Sequence, residues 1–171
     1  MLFRSAFDSD VLYLAKYPGE LGNSLKVSVC DTFASYSSNV SSAVDFTYSI
    51  GANSISGEFS GTSNAAGVTV GNSFIVGDKI LAGNASIGYQ YLEIASVSVN
   101  TSYNSNTLVT IGFQDTYRLH TAFTSNVVQR YWQYHNLVDG APAQSDYVLT
   151  NGNTSANDEL HIVVEIGRAH V

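Results

Sequence analysis

The sequence predicts an α+β fold that is predominantly β: a small antiparallel barrel or sandwich inserted into a mixed sheet, with one or two short helices. Three observations carry this expectation. Charged residues are 12% of the 171, about half the usual share, and Ser, Asn, Thr, 14 Gly and 11 Tyr take their place, the vocabulary of strands and turns. Apolar residues recur at period two in short runs rather than at the helical period. Glycine-bearing turns separate those runs at short spacing, as in barrels and sandwiches.

Composition also bounds function. At 44% hydrophobic, a chain of this length buries a real core and is not a disordered tail. Seven basic against fourteen acidic residues give a net charge of −7, which disfavours a phosphate backbone, so no nucleic-acid partner is expected. One Cys excludes an internal disulfide and a Cys-based zinc site. No apolar run approaches the ~18 residues that a membrane helix needs, so no membrane partner is expected.

Taken in order, Val11–Tyr17 reads as a strand ended by the turn Pro18-Gly19. Gly22-Asn23-Ser24 is a second turn, leading into a half-buried strand over Leu25–Cys30, where Leu25, Val27 and Val29 alternate with polar or small neighbours. From Asp31 to Ala66 the chain is rich in Ser, Asn, Thr and Gly, with two weak strands around Val44–Ile50 and Ile55–Phe59; pattern alone fits either a large surface loop or an inserted β region. Short strands follow at Val68–Val70, Phe74–Val76 and Asp78–Leu81. Tyr89–Val99 is the longest strand, and its phase breaks: Leu92 and Ile94 share one parity, Val97 and Val99 the other. A bulge near Ala95-Ser96 returns all four to one side. Asn100–Asn106 is a polar loop, Leu108–Phe113 a strand, and Val127–His135 another. Asp139-Gly140-Ala141-Pro142 is a turn. Ser145 caps a short helix over Asp146–Asn151. Leu160–Val164, apolar at nearly every position, reads as a central strand covered on both faces.

Candidate chemistry is thin. Cys30, His120 and Asp115 are imaginable as nucleophile, base and orienter, but no nucleophile elbow surrounds Cys30. The histidines show no metal-binding spacing. Asn151–Glu159 lacks the residue order of a calcium loop, and Gly67–Gly71 lacks the G-K-[ST] of a phosphate loop. Tyr131, Trp132 and Tyr134 are imaginable as an aromatic sugar-binding platform, but aromatics on alternating faces of one strand are more often core plus interface. His161 reads as a core-strand residue whose ring makes one hydrogen bond.

The two ends carry a signature of their own. Ile166-Gly167-Arg168-Ala169-His170-Val171 is spelled by ATC-GGA-AGA-GCA-CAC-GTC, a common short-read sequencing adapter, and Met1-Leu2-Phe3-Arg4-Ser5 resembles the same adapter on the opposite strand. Residues 1–5 and 166–171 are therefore expected to be artefact. Without Arg4 and Arg168, five basic residues face fourteen acidic ones, a charge of −9.

Ala15-Lys16-Tyr17-Pro18-Gly19-Glu20-Leu21-Gly22-Asn23-Ser24-Leu25-Lys26-Val27 resembles the A-[KR]-Y-P-G-x-x-G-N-S-L-x-V segment of contractile tail sheath proteins of myovirus-type (T4-like) bacteriophages. The run from Trp132 to Pro142, then Ser145-Asp146-Tyr147-Val148, then Asn157 to Val164 is similar to that family's later W-x-Y…F-D-x-A-P-G-T-S-x-Y…N-D-E-[LM]-H-[IV]-V-V block. Ala143-Gln144 stand where the family has Gly-Thr. The resemblance implies an internal fragment of a structural subunit, with no catalytic role, cofactor or metal. It implies a truncated core domain built from 6–30 and 116–165 and sharing one sheet, with 31–115 as an inserted β-rich region. Its implied partners are other sheath subunits, the tail tube, and the baseplate and tail terminator proteins. Its implied place is the virion tail, assembled in the host cytoplasm, where contraction drives genome delivery. The motif positions with structural or assembly roles are then Tyr17, Pro18, Gly19, Gly22, Asn23, Ser24, Trp132, Asp139, Pro142, Ser145, Asp158, Glu159 and His161, with Asp158 and Glu159 pairing a basic group or lying in a solvated loop. Terminal arms lace such subunits together by adding strands to neighbouring sheets; without them this stretch is not expected to polymerise. On composition alone, a β-rich carbohydrate- or receptor-binding module of a phage or secreted protein is the alternative, and a Cys30 hydrolase a further one.

Overall fold

The computed structural model describes residues 25–114, 118–151 and 158–166. The expected Val11–Tyr17 strand, both turns after it, and Asp115 lie outside the described residues. Within them the chain is mostly strand, and its centre is a closed six-stranded antiparallel barrel. The elements are β1 (Leu25–Cys30), α1 (Phe33–Tyr36), β2 (Ser37–Tyr48), β3 (Ser54–Phe59), α2 (Asn64–Asn72), β4 (Lys79–Asn84), β5 (Gly88–Tyr103), β6 (Asn106–Phe113), β7 (Phe123–Tyr131), α3 (Asp146–Thr150) and β8 (His161–Ile166). Short 3-10 turns cover Gly61–Ser63 and His135–Leu137.

The barrel closes in the order β2-β3-β6-β5-β4-β7. Period-two burial explains why these residues make it. Along β6, Thr107, Val109, Ile111 and Phe113 point inward and their neighbours do not. Ile80 and Ala82 of β4, Leu92 and Ile94 of β5 and Val128 of β7 join them in the core. Phe46 stands edge-on to Phe59 and to Phe74. The β5 phase break is a bulge: pairing with β6 shifts between Ile94 and Ser96, and Val97 packs against the same core as Leu92 and Ile94. β7 closes the barrel against β2 and β4, so the barrel spans 37–131 and runs past the expected 31–115 region.

Several expected elements are replaced. The strand expected at Val68–Val70 lies inside helix α2. Gly67 and Gly71 share one helix face, and a Cβ at either would stand 2.8 Å from Phe59 or 2.3 Å from Val99. The helix forms because that bare face sits directly on the barrel, a tertiary gain that overrides its weak propensity. Phe74–Val76 is no strand but a turn region with Phe74 in the core and Ile75 and Val76 exposed. The polar loop expected over Asn100–Asn106 is a tight hairpin: β5 continues to Tyr103, which pairs with Asn106. Only Asn104 and Ser105 turn, both at positive φ (48° and 66°), as primed hairpin turns require. β2 starts well before Val44, and Ile50 is exposed beyond its end. β7 ends at Tyr131 rather than His135.

The flanking segments do meet on one sheet, as expected: β1 pairs antiparallel with β8 from Leu25↔Ile166 to Cys30↔His161. Of the mixed sheet, the described residues supply this one pair. The expected covering of Leu160–Val164 on both faces is overturned. Ile162 and Val164 are 51% and 56% exposed. A continuous apolar run marks a strand that two layers cover only when both layers are present; among the described residues one face alone has a core behind it.

Candidate functional site

Alternation divides the β1–β8 sheet into two faces. Lys26, Ser28 and Cys30 stand opposite Glu165, Val163 and His161 on the inner face. Cys30, Trp132 and Tyr134 form a second core there, separate from the barrel's, with Tyr36, Val138 and Val163 packed against it. The Trp132 indole N–H donates to Ser28 Oγ at 2.9 Å. Its ring stacks over His161 at 6.2 Å and meets Tyr134 edge-on at 5.3 Å. His161 Nε2 donates to the Gly140 carbonyl at 2.9 Å, so His161 is the half-buried strand residue with one hydrogen bond that the sequence suggests. Trp132 and Tyr134 are core and Tyr131 lies outside it, as their alternation suggests.

The later motif residues close over this core. Pro142 is buried and Asp139 exposed. Ser145 Oγ accepts from Val148 N–H at 3.4 Å and so caps α3. Asp158 Oδ1 accepts from Ser145 N–H at 2.8 Å and Oδ2 from the Ser145 hydroxyl at 2.5 Å. Glu159 Oε2 accepts from Ala143 N–H, while Glu159 N–H donates to the Ala143 carbonyl. Both acids, expected either to pair a basic group or to lie solvated, are exposed and form a strap on residues 143–145, Asp158 bonding Ser145 and Glu159 bonding Ala143. The Ser145 donors hold the Asp158 carboxyl below its usual range. Tyr17, Pro18, Gly19, Gly22, Asn23 and Ser24 lie outside the described residues.

One junction that the sequence does not signal joins this unit to the barrel. Arg130, at the end of β7, donates to Asp78 Oδ2 at 2.5 Å, to Ser38 Oγ at 3.2 Å and to the Ala34 carbonyl at 2.9 Å. Asp78 Oδ1 accepts from Gln133 N–H. Both side chains are about nine-tenths buried (10% and 6% exposed). Burial pushes the Asp78 carboxyl above its usual range, against the opposing pull of Arg130 and the Gln133 N–H. Only spatial proximity reveals the pair, because 52 residues separate its members.

Cys30 is fully buried and burial pushes its thiol up, the environment of an inert thiol. His120 belongs to the barrel unit, its N–H on Gln90, so the imagined pair is split between two cores. Among the described residues no group of three His, Cys, Asp or Glu is arranged to hold a metal, and no helix is long and apolar enough to cross a membrane.

The outer face of the sheet is apolar and exposed. Val27, Val29, Ile162 and Val164 occupy it, with no charged residue among them. Val29, Ile162 and Val164 are exposed, and so are Leu160 just before β8 and Tyr147 and Leu149 of α3. Exposed apolar clusters of this kind mark interaction surfaces. Comparison with family models, curated proteins and solved structures finds no match for the chain.

Proposed function

We propose that this chain is part of a structural subunit of a bacteriophage contractile tail sheath, polymerising with its own copies around a tail tube between baseplate and terminator proteins. The observation that carries the reading is spatial. The early and late sequence blocks that resemble the family are over a hundred residues apart, yet the described end of the early block, Leu25–Val27, pairs in register with Val164–Ile166 beside the late block, and the strand it begins carries Ser28 and Cys30 onto Trp132. That core presents an uncharged apolar face to the outside, suited to a neighbouring subunit.

Work in such an assembly comes from two packings of one subunit, not from a reactive side chain. Hiding about 200 Å² more apolar surface per copy gains at most about 5 kcal/mol, and many copies sum it. The test is genomic and then microscopic. The reading frame containing this chain should lie beside a tail-tube gene, and its whole product, co-expressed with that neighbour, should form sheathed tubes by electron microscopy. A frame among metabolic genes, or a product that stays monomeric with the tube protein, overturns the reading.

A further inference from the structure

Four rings converge on the outside of the barrel: Tyr36 of α1, Tyr91 of β5, Tyr131 of β7 and His135 of the turn that follows. Tyr91 lies 4.9 Å from His135 and 5.5 Å from Tyr131, centroid to centroid; His135 lies 5.0 Å from Tyr131 and 6.5 Å from Tyr36. Tyr91 is 43% exposed. Tyr89, two residues earlier on the same face of β5, is 62% exposed and extends the row.

The cluster's chemistry is specific. His135 Nδ1 lies 3.1 Å from the Trp132 carbonyl. A carbonyl only accepts, so Nδ1 carries the proton and Nε2 of the neutral ring is an acceptor. Nε2 has no hydrogen-bond partner among the described residues. Burial first and then Lys79 lower the His135 pKa, against the Trp132 bond; its ring neighbours are Tyr36, Tyr91 and Tyr131, and Glu93 stands opposite Lys79 on the same wall. The Tyr36 hydroxyl is engaged, donating to the His135 carbonyl at 3.1 Å.

We propose that this cluster of rings binds a neutral saccharide, one sugar ring stacking on Tyr91 and a hydroxyl donating to His135 Nε2. The wall beside the rings carries one charge of each sign, Lys79 and the Glu93 opposite it in register, so it favours neither a cation nor an anion. A peptide strand finds no free edge on this wall, because β4 is paired on both sides by β5 and β7. Aromatic faces with one fixed acceptor suit the C–H faces and O–H groups of a sugar. The site is distinct from the β1–β8 face and does not rest on the sheath reading.

The test is chemical-shift mapping on the whole 171-residue chain, titrated with maltotetraose, chitotetraose and lactose, with a proline-rich decapeptide as competitor class. We expect at least one saccharide to give saturable shifts centred on Tyr91, Tyr131 and His135. Tyr91→Ala should weaken that binding about tenfold or more, Tyr91→Phe should leave it within about twofold, and acidification should weaken it as His135 takes up a proton. Mapping on the unaltered chain keeps the test decisive even where Tyr91→Ala disturbs folding. Saturable shifts from none of the three sugars, shifts centred elsewhere, shifts given by the peptide alone, or affinity unchanged in a folded Tyr91→Ala chain would each overturn the proposal.

Discussion

Arg130 spends its donors on three different parts of the chain: Asp78 before β4, Ser38 of β2 and the Ala34 carbonyl of α1. Removing one partner of a buried pair strands the other charge. Asp78→Ala is therefore expected to lower stability by about 3–5 kcal/mol, read as a fall in the urea midpoint at unchanged slope. Asp78→Leu with Arg130→Met should cost less than Asp78→Ala alone, because no unpaired charge is left. Asp158 gives the second residue-scale expectation. Its carboxyl is held below the usual range by Ser145, so its contribution is present above the unfolded-state pKa and is lost as pH falls through the lower folded-state value. Ser145→Ala removes both the helix cap and those bonds. Loss of the cap should cost about 1 kcal/mol at neutral pH, and loss of the bonds to Asp158 should flatten the acid limb of a stability-against-pH curve. A variant with the wild-type acid limb would contradict the strap. At this scale the sequence is readable where partners are local. Ser145 as a cap follows from the residues after it, whereas Arg130 with Asp78 does not, since nothing nearby in the chain marks either one.

Element by element, the same division holds for a different reason. The β5 bulge is visible in sequence because parity is a local property: Leu92 and Ile94 against Val97 and Val99 admit few explanations. Helix α2 is not, because its apolar residues and glycines read as strand and turn until the barrel wall is there to receive Gly67 and Gly71. That packing gives a third expectation. A Cβ at position 71 would stand 2.3 Å from Val99 Cγ2, and a valine branch cannot swing aside, so Gly71→Ala should cost about 1–3 kcal/mol. Adding Val99→Ala should recover part of it in a double-mutant cycle, and additive effects would contradict the contact. The hairpin at Asn104-Ser105 gives a fourth. Ser105 has φ +66°, a region glycine enters without penalty, so Ser105→Gly should raise stability by up to about 1 kcal/mol in thermal unfolding. A lower midpoint would contradict that turn.

For the molecule as a whole, a closed barrel is carried on a small second core that the two flanking segments build together. A barrel closed on itself has no free edge to offer, so under the sheath reading the addition of a neighbour's strand falls to the β1–β8 unit. That flanking segments would share a sheet came from the resemblance of the two blocks to one family and not from pattern, since short apolar runs bounded by turns do not say which strand pairs with which. That one face would stay open was not readable in sequence: an apolar run such as Leu160–Val164 looks the same whether its second layer is its own chain or a neighbour's. The open face is what the sheath reading uses, and four of its residues are Val27, Val29, Ile162 and Val164. Electron microscopy of the whole gene product co-expressed with its tube protein, as wild type and as Ile162→Glu with Val164→Glu, tests that use directly. Sheathed tubes from the wild type and none from the double variant, whose circular dichroism still reports a folded barrel, is the outcome expected. Tubes of equal length and number from both would contradict the account.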